Sequence, residues 1–355
     1  MEDLKVKQRV GRKAIAARLA GAMAILIMSA SSAAAAGPAE LKRYEYTHVE
    51  MGMPFKVLLY ADTEQAAKQA AGAAFARIGE LNRIMSDYDP ESELSRLSRG
   101  SPTAEPVQVS ASLCKVLLRA HQLALESDGA FDVTVGPYVR LWRRARRNKE
   151  FPSQTLLDQA RAAVGYRYLE LDPASRTVSL KKPHMRLDLG GIAVGYAIDE
   201  GLKILRKHGI TRAMIDGSGD IGAADPPPGE AGWRIGIVAH DPTGPPCCYL
   251  RLANAAVTNS GSAMQHVVLD GREYSHIVDP RTGVGLTDRS SVTVYAKDCI
   301  TADSLATAVN VLGPVKGLKL IERKAGAAAL IVRHTDGKRE KFISRAWRTL
   351  GCAPR

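Results

Sequence analysis

The chain has 355 residues, 45% of them hydrophobic and 24% charged, enough for one large domain or two small ones around a substantial core. That balance excludes intrinsically disordered and membrane-embedded classes. The formal net charge of +12 is compatible with anionic partners, phosphates among them.

Part of the charge sits in an N-terminal address. Lys5, Lys7, Arg9, Arg12, Lys13 and Arg18 precede an apolar run from Leu19 to Met28, and small residues continue through Ala36. This order reads as a secretory signal over residues 1–36, with the mature domain at 37–355. The run is short for a membrane span, which makes an uncleaved anchor the alternative. With the signal removed, 43 Lys and Arg face 35 Asp and Glu, a net charge of +8. With no cysteine near the cleavage zone, the expected product is a soluble periplasmic protein, and any link to the membrane comes through the location of a partner. The cysteines are Cys114, Cys247, Cys248, Cys299 and Cys352. Their odd number and lack of CxxC spacing indicate neither a zinc site nor a disulfide framework. One bridge is compatible with an oxidising compartment, its pairing open.

Alternation over residues 44–60 predicts two strand-like pieces broken at Met51-Gly52-Met53-Pro54. Ala71, Ala74, Phe75, Ile78 and Leu81 mark one face of a helix over 63–84, which runs into the polar loop Met85–Leu94. A second helix over 110–128 takes Ser110 or Ser112 as its cap and ends at Gly129. Beyond the apolar segment Ala130–Pro137, a basic cluster around Trp142 (Arg140, Arg143, Arg144, Arg146, Arg147 and Lys149) reads as an exposed helix end. Nucleic acid is not an expected partner of an exported chain. A helix near 154–164, a hairpin over 168–180 turning at Asp172–Ser175, and a short strand at Arg186–Asp188 follow. Gly190-Gly191 then opens a helix over about 192–208, where backbone N–H groups can approach an anion. Further strands are expected at 213–215, 234–238, 247–258, 264–269 and 291–296. The Ser-Gly stretch at Thr258–Ser262 reads as the turn between the third and fourth of these. The last elements are a helix over 302–312 and a strand–turn–strand around His334–Gly337.

Two places carry chemistry. Tyr274–Gly283 delivers His276 and Asp279 to a loop, with Pro280 stopping the strand and Gly283 suited to positive φ. Asp303 and Thr307 stand at i and i+4 on one helix face, oxygen donors suited to Mg²⁺ or Ca²⁺. With the Gly-Gly turn, these features suit metal-dependent phosphoryl chemistry on a diphosphate.

Several stretches, in order over about residues 44–350, resemble the FAD:protein FMN transferase (ApbE-like) family. They are Met51–Phe55, Met85–Pro90, Gly129–Pro137, Asp188–Ala193 with Gly195-Tyr196-Ala197, Tyr274–Gly283, and Ala302–Ala308. The resemblance implies an α+β fold, a single two-lobed mixed α/β catalytic unit with FAD between the lobes. It implies a Mg²⁺ enzyme that transfers the FMN half of FAD to a Ser or Thr hydroxyl of an exported acceptor flavoprotein and releases AMP. At the matching positions Asp303 and Thr307 are metal ligands, joined by a backbone carbonyl near Gly191. Met53, Tyr88, Ala130, Phe131, Asp132 and Asp188 line the FAD site, and His276 assists deprotonation of the attacking hydroxyl. The chain departs from the family at Val194, where many members carry Lys, at Asp216–Asp220, and at Ser262. A metal-dependent FAD pyrophosphatase and a non-catalytic FAD-binding protein are the alternative readings.

Overall fold

Residues 40–238, 244–261, 266–335 and 338–352 are described by the structure, a computed structural model. The expected signal at residues 1–36, Ser262, and the turn residues 336–337 lie outside them.

Strands β1 (Lys42–Glu50) and β2 (Met53–Ala61) form a hairpin turning on Met51 and Gly52, both at positive φ (52° and 75°). That combination matches the right-handed twist of paired strands. After it come α1 (Glu64–Met85), α2 (Glu93–Arg99), β3 (Val107–Gln108) and α3 (Ala111–Glu126). Thr63 caps α1 and Ser110 caps α3, each accepting a backbone N–H three residues on. The chain continues through α4 (Gly136–Asn148), α5 (Gln154–Ala162), β4 (Leu169–Asp172), β5 (Thr177–Leu180) and α6 (Ala193–Lys207). Next are β6 (Ala213–Gly217), β7 (Asp220–Ala223), β8 (Trp233–Ile237), β9 (Cys248–Leu252) and β10 (Ala255–Gly261). Short strands β11 (His266–Leu269), β12 (Arg272–Ser275), β13 (Val278–Asp279) and β14 (Val284–Gly285) precede β15 (Arg289–Ala296). The chain closes with α7 (Cys299–Glu322), β16 (Ala328–Thr335), β17 (Lys338–Ile343) and α8 (Arg345–Thr349).

An eight-stranded sheet in the order β1-β2-β6-β7-β10-β15-β16-β17 organises these elements, and its neighbours all pair antiparallel. Period-2 alternation sends Phe55, Val57 and Leu59 of β2 into the main core with α1, α3, α6 and α7. Leu58 points the other way, into a second cluster with the β8–β9 hairpin and Trp347 of α8. A Cys248–Cys352 disulfide, with Cα atoms 5.5 Å apart, ties β9 to the chain end after α8. A third cluster holds Tyr138 and Trp142 of α4 against Leu157 of α5, Val267 and Val278.

Three sequence expectations change. The strand expected over 247–258 divides at Asn254, which sits at φ +49°, into β9 and β10 of different sheets. Thr258–Gly261 is therefore strand rather than turn. Asn259 Oδ1 accepts from Ser291 at 2.9 Å and Thr293 at 3.2 Å, while the buried Thr258 hydroxyl has no hydrogen-bond partner among the described residues. The helix expected over 302–312 is the first limb of a longer one. Gly313 (φ 72°, ψ 178°) breaks it, and Pro314 begins the second limb, where its missing N–H costs nothing. Third, the basic cluster at Trp142 is not simply an exposed helix end. α4 buries Tyr138, Trp142 and Ala145 at helical spacing, and one of its arginines, Arg143, turns inward.

Candidate active site

Close approach of two helix starts builds the first part of the site. A Cβ on Gly195 would lie 2.7 Å from the carbonyl carbon of Cys299 and 2.9 Å from Asp303 Cβ, so only glycine allows α6 and α7 to meet there. Each helix then caps the other. Asp303 Oδ2 accepts the Gly195 N–H at 3.0 Å, while Asp199 of α6 accepts the N–H groups of Cys299 (2.8 Å) and Ile300 (2.9 Å). Burial pushes Asp303 up to about 7, against the pull of the Gly195 N–H and with added repulsion from Asp199. Burial likewise raises Asp199 to about 6, although its two N–H donors oppose the shift.

The same crossing gathers Gly191, Asp303 and Thr307. A Cβ on Gly191 would stand 2.8 Å from Thr307 Oγ1, which puts the Gly-Gly turn against the hydroxyl one helical turn beyond Asp303. Among the described residues no three His, Cys, Asp or Glu side chains group to hold a metal ion. A cation here would rely on one carboxylate, one hydroxyl and a backbone carbonyl. All are hard oxygen donors that fit Mg²⁺ and do not suit zinc. Asp220, across the β6–β7 turn, is raised well above its ordinary range by burial, by Asp303 and by Asp216. Sequence reasoning had treated it only as part of a variant motif. Val194 is buried and packs toward Gly217 of β6. Met53 stands half-buried at the start of β2, next to Pro54, whose carbonyl accepts from Ser218 in the β6–β7 turn at 3.4 Å.

The second part lies along α4. A Cβ on Gly136 would meet Arg186 Cβ at 2.9 Å, and Val135 bridges Arg186 in parallel, so α4 starts against the segment that leads to Asp188, an isolated bridge rather than the short strand expected at Arg186–Asp188. Seven residues along, two turns of helix, Arg143 reaches Asp188 Oδ2 at 3.2 Å. It also donates to Asp87, and its Cζ sits 4.1 Å over the Tyr88 ring. The other Asp188 oxygen accepts the Gly190 N–H at 2.8 Å. Burial and Asp87 raise Asp188, and Arg143 and Gly190 oppose the shift. Tyr88 remains 74% exposed. Neither Arg143 nor Asp87 was singled out from sequence. The available signal was the Tyr138, Trp142, Ala145 stripe, which turns Arg143 toward the flank of the buried face.

The third part is the His276 bend between β12 and β13. Ser275 N–H donates to the Leu286 carbonyl at 2.7 Å, and Leu286 N–H donates to Ile277 O at 2.9 Å. The backbone is thus fixed on both sides of His276, whose side chain is half-buried. Ile277 packs with Ala130 and with Val311 of α7. Val311 continues the Asp303, Thr307 stripe one turn further, about 6 Å along the axis. Asp279 does not face this centre: both its oxygens hold Arg281 at 2.8 Å, and its carbonyl accepts the Gly283 N–H at 2.8 Å. Gly283 has φ +77°, and a Cβ there would lie 2.6 Å from Tyr138 Cζ. Trp142 Nε1 donates to Gly283 O at 2.8 Å. Helix α4 therefore supports both the His276 loop and, through Arg143, Asp188.

The loop after α3 sits between these parts. Ala130 and Phe131 are buried, and Val133 O accepts the Asp188 N–H at 2.8 Å. Asp132 Oδ1 accepts from the Thr134 N–H (2.8 Å) and hydroxyl (2.7 Å), and Oδ2 from the Tyr166 N–H (2.8 Å). Those bonds shape the loop from within.

The ApbE family model matches residues 51–331. The chain belongs to the ApbE family. FAD:protein FMN transferases of Haemophilus influenzae and Vibrio cholerae are 32% and 34% identical to it, over 269 and 267 residues. Each alignment covers 74% of this chain and 78% of the relative. The solved ApbE flavin transferase of Vibrio cholerae superposes with a TM-score of 0.77 at 29% identity, covering 88% of this chain and all of that one. The apo flavinyl transferase ApbE of Pseudomonas stutzeri gives 0.78 at 29% identity, with 89% and 98% coverage. The mixed α/β architecture expected from the motifs is the family's.

Proposed function

We propose that this chain is a Mg²⁺-dependent FAD:protein FMN transferase that modifies a Ser or Thr hydroxyl of an exported acceptor flavoprotein and releases AMP. The observation that carries this reading is the convergence of Gly191, Asp303 and Thr307 at the α6–α7 crossing, with the His276 bend packed one helical turn away. Asp303, Thr307 and the Gly191 carbonyl would hold Mg²⁺, which when bound neutralises diphosphate charge. Asp188 and Tyr88 offer polar and aromatic contacts to FAD, and Met53 stands at the same edge of the sheet as the β6–β7 turn. Ala130, Phe131 and Asp132 contribute through the shape and backbone of their loop, since their side chains are buried or already bonded. His276 takes the proton as the acceptor oxygen bonds to the FMN phosphorus and the bond to the AMP phosphate breaks. The N-terminal segment and the 37–355 domain fit an exported, soluble periplasmic enzyme.

The test is incubation of the protein with FAD, Mg²⁺ and an acceptor flavoprotein, followed by denaturing electrophoresis and in-gel flavin fluorescence. A fluorescent acceptor band that vanishes with chelator or with His276→Ala supports the reading. Free FMN and AMP with a dark acceptor band would make the enzyme a pyrophosphatase. Stoichiometric FAD binding without turnover would make it a binding protein.

A further inference from the structure

The carboxylates around the Gly190-Gly191 turn pose an electrostatic problem for the function just proposed, on which this inference rests. Asp87 and Asp188 stand together beside the turn, and a dinucleotide brings two more negative phosphates. Bare approach of a diphosphate to such a wall is repulsive. Arg143 is the cation that the fold places in contact with Asp87 and Asp188. It differs from the exposed Arg140, Arg144 and Arg147 on the same helix, since its side chain is only 22% exposed. Two of its N–H groups donate to Asp87 and Asp188. A guanidinium carries five N–H donors, and the other three make no hydrogen bond among the described residues. The group is held in place by the Tyr88 ring below it and by α4, which Tyr138 and Trp142 anchor to the His276 loop.

We propose that Arg143 is a substrate-binding residue that recognises the diphosphate of FAD with its remaining donors. Asp87 and Asp188 orient the guanidinium beforehand, so little side-chain freedom is lost when the phosphates arrive. Planar, multiply donating recognition of phosphate is what arginine does better than lysine. The arrangement makes phosphate recognition separable from flavin recognition.

Binding of three probes measures this directly: FAD, ADP (diphosphate without flavin) and riboflavin (flavin without phosphate), each in chelator so that no metal compensates. Arg143→Met is expected to weaken FAD and ADP about tenfold to a hundredfold, the range for hydrogen bonds to charged groups, and to leave riboflavin unchanged. Arg143→Lys should recover part of the loss, and wild-type affinity for ADP should fall with added salt more steeply than that of the Met variant. If Arg143→Met fails to melt cooperatively, Arg143→Lys carries the test, with a severalfold loss for FAD and ADP and none for riboflavin. Unchanged FAD and ADP affinity, or an equal loss for riboflavin, overturns the assignment while the transferase reading stands. A wild-type protein that binds no FAD removes both.

Discussion

Replacing Gly195 by Ala tests the helix crossing on which the whole site depends. The added Cβ would sit 2.7 Å from the Cys299 carbonyl carbon and closer still to its oxygen, whereas ordinary contact begins at 3.4 Å, so α6 and α7 must part by about 0.7 Å or more. The Asp303–Gly195 bond, now 3.0 Å, would lengthen to about 3.7 Å, beyond hydrogen-bonding range. Overpacking costs about 1–3 kcal/mol, and depriving a buried carboxylate of its donor about 1.5–3 kcal/mol more. The expected total is about 2.5–6 kcal/mol, or a fall in melting temperature of about 5 °C or more in a domain of this size. Calorimetry or urea denaturation reads this, with Gly72→Ala as the control. A Cβ at Gly72 of α1 meets nothing within 4 Å, so that change should stabilise by about 0.5–1 kcal/mol. If Gly195→Ala melts within a degree or two of wild type, the two helix starts are not in contact, and the gathering of Gly191, Asp303 and Thr307 is wrong.

Asp199, raised to about 6 from 3.8, holds its proton more tightly folded than unfolded, so its contribution to stability is full only below pH 3.8 and is lost progressively as pH rises through 6. The stability advantage of wild type over Asp199→Asn, measured by urea denaturation in chelator, should shrink by about 2–3 kcal/mol between pH 4 and pH 7. A constant difference would show that Asp199 does not titrate in that window. Reduction of Cys248–Cys352, which closes a loop of 104 residues, should cost about 3–5 kcal/mol. Alkylation of the unfolded, unreduced protein should label Cys114, Cys247 and Cys299 only. His276→Ala should lower turnover by about 10²–10⁴ while FAD affinity, followed by flavin fluorescence, stays within twofold or so of wild type. Thr307→Ala should raise the Mg²⁺ concentration needed for half-maximal turnover.

Local signals carried much of this fold. The Ser110 cap, the Asp172–Ser175 turn and the α7 limb ending at Leu312 were readable because side chain and backbone satisfy each other within a few residues. Gly283 was readable too, since a strand stopped by Pro280 needs a residue free to take positive φ. Residues whose partners lie far away in sequence were not. Arg143 meets Asp87 and Asp188 across 56 and 45 residues, and the Tyr138, Trp142, Ala145 stripe of its own helix marks only the flank it lies on, not those distant partners. Asp199 looks like an ordinary polar position of α6 until the start of α7 is placed against it. Thr258–Gly261 was read as a turn because Ser-Gly normally punctuates. Pairing with β15 on one side and, at Val257, β7 on the other holds the segment extended instead. Asp279, delivered to the loop beside His276, serves the turn instead, because its two-residue spacing to Arg281 allows a closed local ion pair.

The central claim is that this site moves FMN onto a protein hydroxyl. Intact-mass measurement of an acceptor flavoprotein, before and after incubation with the enzyme, FAD and Mg²⁺, reads that directly. The account predicts that the acceptor gains the mass of one FMN less one water, with one AMP released per adduct, and that chelator prevents both. An acceptor of unchanged mass beside accumulating FMN and AMP, or beside untouched FAD, would contradict it.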